Sequence, residues 1–88
     1  MNRRDFLFLR TDRGEPALEL SCEQLYMRYV DSRLDGTTAE LFENVQRSLS
    51  SVNVLNLTDP AWLSCEELRP VASLVADFRS RGGQVEGK

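Results

Sequence analysis

Val52-Asn53-Val54-Leu55-Asn56-Leu57 puts four branched aliphatic residues into six positions and is cut off by Thr58-Asp59-Pro60. That composition marks a strand buried between layers, and Pro60 has no amide with which to continue a ladder. Downstream, Ser64 and Glu67 stand at capping-box spacing, and Leu68, Val71, Ala72, Val75 and Phe78 fall on one helical face. The spacing predicts a helix from Ser64 to Arg81, ended by Gly82-Gly83 and followed by a short strand at Gln84-Val85-Glu86. Pro70 falls in its second turn, where it removes a hydrogen bond and crowds the turn before it, so a bend or a broken first turn is expected there. Strand, helix and strand form a βαβ unit, in which the crossover is almost always right-handed and the strands parallel. Val52 to Leu57 is the expected central strand.

Upstream, Thr37 and Glu40 repeat the capping-box spacing. Leu41, Phe42, Val45 and Leu49 share a face opposite Glu40, Glu43, Asn44, Gln46 and Arg47, which predicts an amphipathic helix closed by Ser50-Ser51. At the head of the chain, the apolar run Phe6 to Leu9, the turn formers Thr11 to Pro16 and the alternation Leu18-Glu19-Leu20 predict an antiparallel hairpin. Cys22 to Val30 admits two readings. Ser21 with Gln24 fits a capping box that would place Leu25, Tyr26, Tyr29 and Val30 on one helical face. Leu25, Met27 and Tyr29 also alternate with Tyr26, Arg28 and Val30, and the strand-forming composition of Tyr-Met-Arg-Tyr-Val favours a strand. Asp31 to Gly36 reads as a loop ending in Asp35-Gly36. The expected architecture is α/β: a mixed sheet with an N-terminal antiparallel hairpin, a C-terminal parallel βαβ unit, and two main helices covering one face.

Composition bounds what such a domain does. Eighty-eight residues, 41% hydrophobic and 28% charged, make one domain spanning 1–88. Eleven Lys and Arg against 14 Asp and Glu give a net charge of −3, which argues against nucleic acid as a partner. The chain contains no histidine, which excludes histidine-dependent triads and histidine-containing zinc sites. Arg3-Arg4-Asp5-Phe6-Leu7 resembles the twin-arginine motif of some bacterial signal peptides. Its apolar stretch ends after four residues, with Arg10, Asp12 and Arg13 following, so a basic lead-in to a buried strand is expected instead. No run approaches the ~18 apolar residues of a membrane span, and the expected location is the cytoplasm, with no membrane partner. Cys22 and Cys65 are expected to be reduced thiols. There is no Cys-x-x-Cys, Gly-rich phosphate loop or clustered metal-ligand spacing; no cofactor, metal or catalytic residue is expected, and no enzymatic activity.

Val54-Leu55-Asn56-Leu57, Trp62-Leu63-Ser64-Cys65-Glu66-Glu67-Leu68 and Phe78-Arg79-Ser80-Arg81-Gly82-Gly83-Gln84-Val85 together resemble the second half of a STAS domain, the fold of the anti-sigma-factor antagonists. In that family a V-L-N-L or V-L-D-L strand leads through a loop with an aromatic to Asp-Ser-Ser/Thr-Gly-Leu, a helix, and Gly-Gly before the next strand. Thr37-Thr38-Ala39-Glu40-Leu41 is similar to the start of the family's first helix, so the likeness covers about residues 37–86. Cys22 to Asp35 is longer than the family's usual connection, and its C-terminal helix has no counterpart here. The resemblance implies a bacterial regulatory module that docks a protein partner. It places Ser64 at the aspartate, Cys65 at the phosphoaccepting serine and Glu66 at the residue after it. A thiol does not replace serine as a kinase substrate, so the phospho-switch is not expected, and Glu66 offers a permanent negative charge at the helix start.

The residues expected to bind a partner are therefore Trp62, Ser64, Cys65, Glu66 and Glu67. Trp62, in a non-periodic loop, is the expected anchor, while Tyr26 and Tyr29 fit either a surface or the core. Ser64, Glu66 and Glu67 also fit ordinary cap and first-turn roles. A second reading centres a thiol-dependent redox protein or sensor on Cys65, favoured by a helix N-terminus and opposed by Glu66, Glu67 and the lack of a histidine base. Cys22 reads as a small core residue. Self-association through the hairpin edge or a helix face is a further possibility for a chain this short.

Overall fold

The computed structural model of the protein describes residues 6–87, so Arg3-Arg4-Asp5 of the twin-arginine-like lead lies outside the described residues. Strands β1 (Phe6–Arg10) and β2 (Pro16–Ser21) form the hairpin, followed by helices α1 (Cys22–Asp35) and α2 (Thr38–Ser50). Strand β3 (Val54–Thr58) leads into two 3-10 turns, Pro60–Ser64 and Glu66–Leu68, then helix α3 (Arg69–Ser80) and strand β4 (Gln84–Gly87). The sheet order is β1-β2-β3-β4, antiparallel in the first pair and parallel in the other two. The mixed α/β sheet expected from the pattern is thus present, with β3 internal, Leu55 lying opposite Leu18 on one side and Val85 on the other.

Strand periodicity explains the layering. Leu18, Leu20, Leu55 and Leu57 project to one face and are buried in a single core with Leu25 of α1, Leu41, Val45 and Leu49 of α2, and Val71, Val75 and Phe78 of α3. Three helices cover this face rather than two. The difference is residues 22–35, where the strand-then-loop reading is wrong. Ser21 ends β2 and at once caps α1, its Oγ accepting the Gln24 N–H at 3.3 Å. Cys22, Leu25 and Ser32 are buried along the inner side, and Gly36, at φ 78, closes the helix with its N–H on the Ser32 carbonyl. Tertiary burial of that side outweighs the strand propensity of its tyrosines and valine.

Helix α3 also begins later than the capping-box spacing suggested. Ser64 does not cap it: its hydroxyl donates to the Ala61 carbonyl at 2.7 Å, and residues 60–68 form 3-10 turns. The α-helix starts at Arg69, which moves Pro70 into the first turn, where no amide is missed. The expected broken first turn is real, and its cause is that proline. At Thr37 the capping box is likewise absent, because Thr37 bonds back to the Asp35 carboxylate through its N–H and hydroxyl. Helix α3 ends in a Schellman motif, Gly83 N–H to Phe78 O at 3.0 Å and Gly82 N–H to Arg79 O at 3.1 Å, with Gly82 at φ 93.

Candidate functional site

The carboxyl end of β2, where α1 starts at once, and that of β3, where a turn starts, lie side by side, since the two strands are parallel neighbours and Ser21 stands opposite Thr58. Open α/β sheets commonly present their functional loops at this end. Asp59 makes the sharp exit from β3. It is the one non-glycine residue at positive φ among those described, with φ 54 and ψ 55, in a region costly for an L-residue and unusual before a proline. The turn it starts carries Trp62, which lies over Tyr26 of α1 with ring centroids 5.1 Å apart.

That contact begins a line of aromatic rings. Tyr26 is 6.4 Å from Tyr29, and Tyr29 stacks on Phe42 of α2 at 6.0 Å. Arg33, one turn beyond Tyr29, donates to the Tyr29 hydroxyl at 2.9 Å and places its guanidinium 5.9 Å from the ring. Beside this line runs an open groove of about 610 Å³ bordered by Tyr29, Arg33, Thr38, Phe42, Glu66, Glu67 and Pro70. It offers an aromatic floor with one cation and two carboxylates at its margins.

Of the five residues singled out from the sequence, Glu66 and Glu67 are exposed and border the groove, and Ser64 is exposed but committed to the Ala61 carbonyl. Trp62 is 37% exposed, so most of its ring is packed. Cys65 is half-buried against the core and holds the turn through its backbone, its carbonyl accepting the Leu68 N–H. Cys65 therefore precedes a 3-10 turn, four residues short of the first residue of α3, and the expected α-helix N-terminus is not at the thiol. Cys22 is the buried thiol of the region; burial first, and the Asp59 carboxylate second, push it up to about 11. Both cysteines are free.

Tyr29, Arg33, Phe42 and Asp59 were not singled out together from the sequence. The i, i+4 spacing of Tyr29 and Arg33 pairs them only on a helix, so the strand reading of residues 22–30 concealed it. Among the described residues no group of three or more Cys, Asp or Glu is placed to hold a metal, and no helix is long and apolar enough to cross a membrane. No family model, curated protein or solved structure matches the chain.

Proposed function

We propose that this chain is a non-catalytic, STAS-like interaction module of the cytoplasm, docking a regulatory protein through the turn from Trp62 to Glu67 and the groove beside it. The order of elements from Thr37 onward supports the STAS-like reading: helix, strand, aromatic-bearing loop, helix, Gly-Gly, strand. With cysteine at position 65 and the Ser64 hydroxyl bonded to its own turn, the module works without the serine phospho-switch, Glu66 and Glu67 supplying fixed charge. The observation that carries the reading is the packed but accessible Trp62, held at 5.1 Å on Tyr26 at the head of an aromatic line that leads into the groove. Rigid aromatics with a polar rim are what binding hot spots are made of.

The test is a pull-down from the source cell with wild-type bait, followed by titration of the retained partner against two variants. Trp62→Ala should weaken binding about 30-fold, the equivalent of ~2 kcal/mol. Because the indole also packs on Tyr26, that variant should melt somewhat lower; Glu66→Lys with Glu67→Lys, both exposed, should weaken binding with no change in melting. A partner held with equal affinity by both folded variants would refute the assignment of this surface.

A further inference from the structure

The groove beside the aromatic line carries a charge imbalance that its own residues do not settle. Two of its polar groups are engaged within the fold: Arg33 donates to the Tyr29 hydroxyl at 2.9 Å, and Thr38 Oγ1 lies 3.0 Å from Ser32 Oγ. Glu66 and Glu67 are not. Both are exposed, and among the described residues neither carboxylate enters an ion pair or a hydrogen bond, not even with the neighbouring Arg69. The lining thus holds one cation against two carboxylates, and its uncompensated charge is negative.

The turn that presents these acids is braced from behind. Leu68 at its end is fully buried, Cys65 at its start packs against the core, and Pro70 follows in the first turn of α3. The carboxylates therefore stand on a fixed 3-10 turn and line one groove with the rings of Tyr29 and Phe42, which α1 and α2 hold stacked at 6.0 Å.

Each component selects part of an occupant. An ionised carboxylate only accepts hydrogen bonds, so the occupant brings donors and positive charge. An aromatic face attracts a cation and packs against a flat surface. An ammonium meets the first demand but is a compact, strongly hydrated point charge. A guanidinium meets both: it is planar and weakly hydrated, stacks on rings, and presents a rigid fork of donors that pairs with carboxylates. The groove already holds one such contact, with the Arg33 guanidinium 5.9 Å from the Tyr29 ring; the neighbouring Phe42 ring is the floor for a second. At about 610 Å³ the space is of the size of a small-ligand site, ~300–1,000 Å³. It is an open groove, however, and a free small ligand needs roughly 70–90% of its surface covered. A side chain reaching in from a protein surface is covered on the open side by that protein.

We propose that this groove receives an arginine side chain of the partner protein, its guanidinium on the Phe42 ring and hydrogen-bonded to Glu66 and Glu67. The proposal rests on the docking surface argued above and names the group which that surface recognises. The probe is a capped pentapeptide with one arginine among alanines, titrated to about 20 mM into the isotope-labelled full chain and followed by amide NMR shifts. The shifts should saturate with a dissociation constant of about 1–10 mM and centre on Tyr29, Phe42, Glu66 and Glu67. The citrulline peptide, of the same shape without the charge, and the lysine peptide should each bind at least ~5-fold more weakly. Glu66→Gln with Glu67→Gln should weaken the arginine peptide by a similar factor, whereas Glu23→Gln, at an exposed acid in the first turn of α1, should not. Shifts that do not saturate, citrulline or lysine bound as tightly as arginine, or indifference to the paired glutamine replacements overturns the proposal. The docking reading fails separately, because it is decided by the partner's response to Trp62→Ala, outside the lining of this groove. A partner weakened by Trp62→Ala, with no saturable response to the arginine peptide, removes the arginine and keeps the surface.

Discussion

Replacing Asp59 by glycine should stabilise the protein, although glycine is the residue that loses most freedom on folding. Asp59 sits at φ 54, ψ 55, where the Cβ of an L-residue crowds the carbonyl at a cost of about 1–2 kcal/mol. Aspartate usually recovers part of this through a local side-chain hydrogen bond, but Asp59 makes no such cap bond to the turn it starts. Asp59→Gly therefore relieves about 1–2 kcal/mol and gives back about 0.4–1 kcal/mol in unfolded-chain entropy, for a net gain between roughly 0 and 1.5 kcal/mol. Asp59→Ala removes the same carboxylate and keeps the crowding. The decisive quantity is the difference between the two variants in urea unfolding at neutral pH. Glycine should exceed alanine by about 1 kcal/mol, whereas at an ordinary loop position alanine is the better by about 0.4–1 kcal/mol. Both variants should also lower the Cys22 thiol from about 11, since the Asp59 charge is the lesser of its two causes. Alanine equal to or better than glycine would refute the reasoning about strain at the site.

The same thiol makes stability depend on alkaline pH. Folding raises Cys22 from 9.0 to about 11, so this stabilisation is full below pH 9, falls as the unfolded chain ionises first, and is gone above about pH 11. The slope approaches 1.4 kcal/mol per pH unit and totals about 2–3 kcal/mol; Cys22→Ala should flatten it, and an unchanged alkaline slope in that variant would show another group responsible. At the end of α3, a Cβ on Gly83 would lie 2.4 Å from the buried Phe78 ring. Gly83→Ala should cost about 1–3 kcal/mol by overpacking, and most of that cost should vanish in a Phe78→Leu background; strictly additive losses in the double-mutant cycle would exclude a ring clash as the cause.

What could be read from the sequence follows from where a single signal acts alone. Val54 to Leu57 is flanked by turn formers and buried between two strands, so composition, length and burial agree and the strand is legible. Helix α2 is legible for the same reason, with Leu41, Val45 and Leu49 buried and its opposite face polar. At Ser64 two local rules conflict: the capping-box spacing calls for a helix start, while Pro70 is comfortable only in a first turn. The proline prevails, because a missing amide and a ring clash inside a helix cost about 3 kcal/mol or more against about 1 kcal/mol for a cap. Trp62 could be recognised as a loop aromatic beside acids, but its seat on Tyr26 could not, since that contact crosses 36 residues of chain between elements whose relative placement only the core determines.

Helix α1 was misread for a reason that bears on function. An ordinary surface helix has one apolar face, and its period is plain. Here Cys22, Leu25 and Tyr29 face the core while Met27, Val30 and Leu34 face outward. Superposing two apolar faces on one helix fills the sequence with hydrophobic residues at odd intervals, and Leu25, Met27 and Tyr29 then imitate the alternation of a strand. Leu34 is 84% exposed, and a solvated helix face gains nothing from it, whereas Met27 and Val30, 52% and 42% exposed, are about half covered by the fold. Leu34→Lys tests whether the exposed end of that outward set takes part in the fold. It should leave the unfolding free energy within about 0.5 kcal/mol; a larger loss would mean that the outward face of α1 belongs to the fold.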